Sequence, residues 1–128
     1  MSTTTTTAHL QAKSFDVPDD AVPVGSVARV ETVYLGQTTA HRVTFQRGFR
    51  WSEHVKPAVG TDLCQIRHIG YVVSGRAGIR LADGTEREVA AGDAFDVPPG
   101  HDMWVIGDEP YVAVDFTTTP DAPKPLQP

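Results

Sequence analysis

Between Val22 and Phe116 no apolar run lasts more than a few residues before a glycine, a proline or an Asp-Gly pair interrupts it. Such punctuation, roughly every eight to twelve residues, is too dense for helices and calls for short strands joined by turns. The segments "ARVETVYL" (28–35) and "AHRVTFQR" (40–47) alternate apolar and polar residues around a turn at Gly36, as a half-buried hairpin should. "GFRWSEHV" (48–55) extends the pattern into a third strand, and "CQIRHIGYVVSG" (64–75) is strand-like up to its Ser-Gly end. The hairpin signal is clearest in "AGIRLADGTEREVAAGD" (77–93), whose Asp-Gly pair suits a type I′ turn. "AFDVPPG" stops at two prolines, which cannot donate to a ladder, and "DMWVI" and "YVAVDF" flank "GDEP" as a last hairpin. About eight to ten short strands with this turn spacing predict an all-β sandwich or small barrel.

At 128 residues the chain reads as one domain, with its ordered part at 21–118. The threonine-rich start (1–20) is expected to be a flexible arm, and the proline-rich end (119–128) a disordered tail. The net charge of −5 and the lack of any lysine/arginine run argue against nucleic acid as a partner. A single cysteine, Cys64, excludes an internal disulfide and fits a reducing, cytoplasmic setting. The start has no apolar signal-peptide core, and no stretch approaches eighteen consecutive apolar residues, so no membrane span is expected.

Residues 53–68, "EHVKPAVGTDLCQIRH", hold two of the five histidines, the cysteine and two acids. A zinc knuckle requires tight ligand pairs, repeated; here Cys64 and His68 form one C-x3-H and no second pair exists. A longer spacing fits better. Gly48-x5-His54-x-Lys56, followed by His68-x6-Gly75, resembles the first motif of the cupin family, G-x5-H-x-H-x3-4-E-x6-G, with two replacements and a longer middle. Gly92-x5-Pro98-x-Gly100, with His101 next, resembles the second, G-x5-P-x-G-x2-H, with the histidine two residues early. The resemblance spans about residues 40–117.

That resemblance implies a double-stranded β-helix, a jelly-roll barrel with a divalent transition metal inside. Carried over by position, His54 matches the first histidine, Lys56 the second, His68 the glutamate and His101 roughly the last histidine. Strand parity agrees: His54 and Lys56 share a face, as do Asp62, Cys64, Ile66 and His68, and His101, Met103 and Val105. The implied metal set is His54, His68 and His101, with Cys64 as a possible fourth donor whose thiolate would favour zinc over an oxygen-activating iron; zinc, iron(II), manganese and nickel all stand open as the divalent metal. A protonated Lys56 cannot ligate; Lys56 and Asp62 stand as candidate proton carriers as well as simple loop charges. Cys64 also reads as a small buried residue. Trp51, Tyr71 and Met103 are most simply core, with Met103 best placed to frame a substrate pocket. His9 and His41 match no motif.

The leading expectation is a metal-dependent cupin performing oxygenation or isomerisation/cyclisation on a small carbonyl compound. Two others stand beside it: a non-catalytic sensor or carrier, and a barrel with a purely structural zinc. A homodimer is expected from sheet-on-sheet packing, with 28–35 as a candidate edge strand.

Overall fold

A computed structural model of the chain describes residues 10–118. Residues 1–9 of the expected arm, His9 among them, and the expected tail 119–128 lie outside the described residues. The strands, in chain order, are β1 (Asp20–Val24), β2 (Ala28–Leu35), β3 (Thr38–Phe45), β4 (His68–Ser74), β5 (Arg76–Leu81), β6 (Glu86–Ala90), β7 (Ala94–Val97), β8 (His101–Ile106) and β9 (Tyr111–Thr118). Two single-turn helices, α1 (Trp51–His54) and α2 (Lys56–Val59), lie between β3 and β4. All pairings are antiparallel, within a six-stranded sheet ordered β1-β2-β3-β9-β4-β7 and a three-stranded sheet ordered β6-β5-β8.

Alternation along the strands places the core between the two sheets. Val43 and Phe45 of β3, Val72 of β4, and Tyr111 and Ala113 of β9 meet Ala77 and Ile79 of β5 and Val89 of β6 in one buried cluster. The opposite parity of β4 faces outward, leaving Ile69, Tyr71 and Val73 exposed. Two hairpins match the sequence closely. The β2–β3 register pairs Leu35 with Thr38, and β5–β6 turns through Gly84 at φ +91°.

Three expectations are corrected. Residues 48–55 are not a strand: the chain closes into α1, because the Asp102 carboxylate accepts from Ser52 N–H (3.0 Å), Ser52 Oγ–H (2.8 Å) and Arg50 (3.1 Å), capping the turn from β8. Pro57 in the first turn of α2 then favours a second turn, which Gly60 ends in the left-handed region at φ +87°. Strands β8 and β9 flank "GDEP" without pairing; β8 joins β5, while β9 inserts between β3 and β4. Finally, β2 is flanked by β1 and β3, so 28–35 is no edge; the free edges belong to β1, β7, β6 and β8.

Candidate metal centre

The segment after α2 returns to the barrel at Cys64. Its N–H donates to the His101 carbonyl (2.8 Å), and its carbonyl accepts from Gly100 N–H (2.7 Å), an isolated bridge that fixes Cys64 against the start of β8. Four residues on, His68 opens β4 and projects inward. Cys64 Sγ, a nitrogen of His68 and a nitrogen of His101 all lie within 4.8 Å of one another, with Cys64 and His101 buried and His68 half-buried. The two imidazoles meet edge to face at 5.3 Å between centroids.

Hydrogen bonds fix which nitrogens face the cluster. His101 Nδ1 lies 2.7 Å from the Pro98 carbonyl, which can only accept, so Nδ1 carries the proton and Nε2 is the atom left for a ligand. His68 Nδ1 likewise donates to Asp115 Oδ2 at 3.0 Å, leaving Nε2 3.7 Å from Cys64 Sγ. Asp115 is itself buried, on β9. Its closeness to β4 depends on Gly70, paired with it across the ladder: a Cβ at Gly70 would overlap the Val114 carbonyl and press on Asp115.

Charge in the cluster is organised as a pair. Burial raises the Cys64 thiol, but hydrogen bonds with His101 and His68 outweigh it and bring it down to about 6. Burial opposes a charged His68, but its bonds to Asp115 and Cys64 prevail and push it up to about 10. The result is a buried thiolate–imidazolium pair backed by a carboxylate. His41, paired with Asp115 across β3–β9, bonds Thr32 Oγ1 at 2.9 Å, and burial holds it below its ordinary value.

These atoms fit a transition metal. Tetrahedral zinc with Zn–N near 2.05 Å and Zn–S near 2.3 Å separates its N and S donors by about 3.6 Å, close to the 3.7 Å between His68 Nε2 and Cys64 Sγ. Carboxylate- and carbonyl-anchored imidazoles are the usual outer support for such ligands.

The structure therefore brings together three of the four candidate ligands. His54 is not in the set: on α1 its Nδ1 accepts from Arg50 N–H (3.1 Å), its Nε2 faces Glu53 (3.5 Å) and its ring stacks on Phe49. Lys56 and Asp62 pair with each other at 3.4 Å at the surface, with the Asp62 side chain 96% exposed, so neither is placed to move a proton at the cluster. Met103 lines the inner cavity with Val43, Phe45, Phe95 and Tyr111. Trp51 does not: it is buried in the core at the start of α1. Tyr71 points outward on β4, 46% exposed.

Asp115, the partner of His68, carried no local sequence signal, since it stands 47 residues away. The place of Cys64 in the cluster matches an unbroken count. Measured back from Gly75, the x6 and x3 gaps of the first cupin motif fall on His68 and Cys64 without any insertion. The second motif counted from Gly100 falls on Met103, and His101 shares its strand face two residues earlier.

No protein-family model and no curated protein matches the sequence. Solved structures do. An RmlC-like cupin from Shewanella frigidimarina is 20% identical, with 88% of this chain and 95% of that one covered and a TM-score of 0.59. A cupin-like protein from Thermotoga maritima matches at 20% identity over 78% and 81%, with a TM-score of 0.54.

The chain has the fold of the small RmlC-like cupins.

KdgF from Halomonas sp. is similar to the chain at 25% identity over 77% of this chain and 86% of that one, with a TM-score of 0.55. Against the cupin motifs that it resembles, the sequence carries cysteine (Cys64) at the second-histidine position and histidine (His68) at the glutamate position. No helix among its described residues is long and apolar enough to cross a membrane.

Proposed function

We propose that this protein is a metal-dependent enzyme. It would hold one divalent transition metal, zinc by its donor set, through Cys64 Sγ, His68 Nε2 and His101 Nε2, and act on a small organic molecule with a carbonyl group. The observation that carries this reading is the convergence of those three atoms within 4.8 Å on the inner face of the barrel. A three-ligand zinc leaves a coordination position open, the mark of a catalytic site, whereas structural zinc takes four protein ligands. With His54 outside the set, a zinc held by Cys64, His68 and His101 would keep a position for a small molecule. A thiolate donor favours zinc over an oxygen-activating iron, so isomerisation or a related Lewis-acid reaction of a carbonyl compound fits better than oxygenation.

A bound zinc would supply positive charge to polarise a carbonyl oxygen. The chain's own groups do the rest. Asp115 and the Pro98 carbonyl orient the two imidazoles, and Phe45, Phe95, Met103 and Val97 keep the site apolar and exclude water. The inner cavity is about 30 Å³, the room of a single water, so the reacting molecule extends outward from it. The open position is tested on cobalt-substituted protein. Azide should perturb the visible spectrum if the position is free, whereas an unchanged spectrum would favour a closed, structural zinc.

We also propose that two copies pair through the outer face of the large sheet. Ile69, Tyr71 and Val73 of β4 and Phe116 of β9 stand there with 43–51% exposure, and Ile69 is directly opposite Phe116.

A further inference from the structure

The two sheets do not close on each other at β6 and β7, both of them edge strands. Between them lies a cleft of about 390 Å³, much larger than the inner cavity, and the two share Ile79, Phe95 and Val97 in their walls. The cleft thus lies next to the inner cavity that His68 and His101 line.

One charged side chain in its wall is uncommitted. Cross-strand partners project to the same face of a sheet. Ala77 with Val89 is a buried pair of β5–β6, and Ile79 with Arg87 is the next pair on that same inner face. Arg87 therefore faces the cleft and lines it, although β6 is otherwise exposed there. The chain has eight arginines. Arg29, Arg42, Arg47, Arg50, Arg67, Arg76 and Arg80 each meet a carboxylate; Arg87 alone among the described residues has no ion-pair partner. The acids lining the cleft are already engaged. Asp96 takes both arms of Arg67 (2.9 and 2.7 Å), Glu88 takes Arg76 (3.0 Å), and Asp93 accepts from Ala90 N–H (2.8 Å). A guanidinium presents a planar fork of donors that matches a carboxylate in two parallel hydrogen bonds.

We propose that Arg87 anchors a carboxylate of the substrate at the mouth of the β6/β7 cleft, so that the molecules this protein takes are small organic acids. The apolar walls, Ile79, Phe95 and Val97, then lead the remainder of the molecule inward. This rests on the reading that Cys64, His68 and His101 form the reaction site, and it adds the class of substrate to that reading.

The test is calorimetric titration of pyruvate and of malonate into zinc-loaded protein and into protein stripped of metal. It is run on the unaltered chain, on Arg87→Gln, and on Arg80→Gln as a control from the neighbouring strand. Losing a forked, charge-assisted contact should weaken binding by about tenfold or more in Arg87→Gln and leave Arg80→Gln unchanged. Equal affinity in Arg87→Gln, or no binding of either acid to the unaltered chain, overturns the proposal. The two readings separate cleanly. Arg87-dependent binding to a protein that takes up no zinc would support the anchor while removing the metal site. Full zinc uptake with Arg87-independent binding would do the reverse.

Discussion

Asp115 on β9 accepts the Nδ1 proton of His68 on β4 at 3.0 Å, and this bond turns the other face of the imidazole toward Cys64. The two strands are neighbours only because β9 inserts between β3 and β4, and they come this close only because residue 70 has no side chain. The Asp115 carboxylate thus fixes the ring orientation of His68 and, together with Cys64, favours its charged form.

Replacing that carboxylate should be felt as metal affinity. Asp115→Asn keeps the shape but loses the charge, and outer-shell changes of this kind lower affinity by about 10- to 100-fold. Competition with a chromophoric chelator measures it; an unchanged zinc affinity would mean that Asp115 does not support His68.

The thiolate–imidazolium pair predicts the proton balance. At pH 7 a thiol at about 6 is ionised, and an imidazole at about 10 still holds its Nε2 proton. Zinc entry must therefore expel close to one proton, from His68, with none from Cys64. A pH indicator in weak buffer reads the proton. The ultraviolet absorbance of the thiolate should already be present in metal-free protein at pH 7 and fade as pH falls through about 6. A thiol that ionises only above pH 8 would contradict the pairing.

The outer face of the large sheet predicts assembly. Sedimentation should show a dimer for the unaltered chain and a monomer for the double change Tyr71→Lys and Phe116→Lys. Both residues point to solvent, so each substitution leaves the fold intact to within about 0.5 kcal/mol. A monomeric unaltered chain would exclude this interface.

Local signals were legible in the sequence, and non-local ones were not. The β5–β6 hairpin was readable because Asp83-Gly84 encodes its own turn. The "GDEP" segment carries the same turn chemistry, yet its flanking strands go to different sheets, since pairing there is decided by which core each face can join. His54 was placed in the metal set by its position in the cupin motif that the sequence resembles, and the structure sets it apart because Asp102, 48 positions on, caps the segment into a helix. His68, His101 and Cys64 stood out as candidate donors through the resemblance to the cupin motifs, and the structure brings them together. Asp115 and Arg87 were not, because each depends on a ladder register: Gly70 opposite Asp115, Ile79 opposite Arg87.

Elemental analysis of the protein purified without chelator tests the central claim most directly. The account predicts close to one equivalent of zinc per chain, falling below about a tenth in Cys64→Ser and in His101→Ala while His54→Ala retains it. Less than about a tenth of an equivalent of any transition metal in the unaltered protein, or a content that follows His54 in place of Cys64, would contradict it.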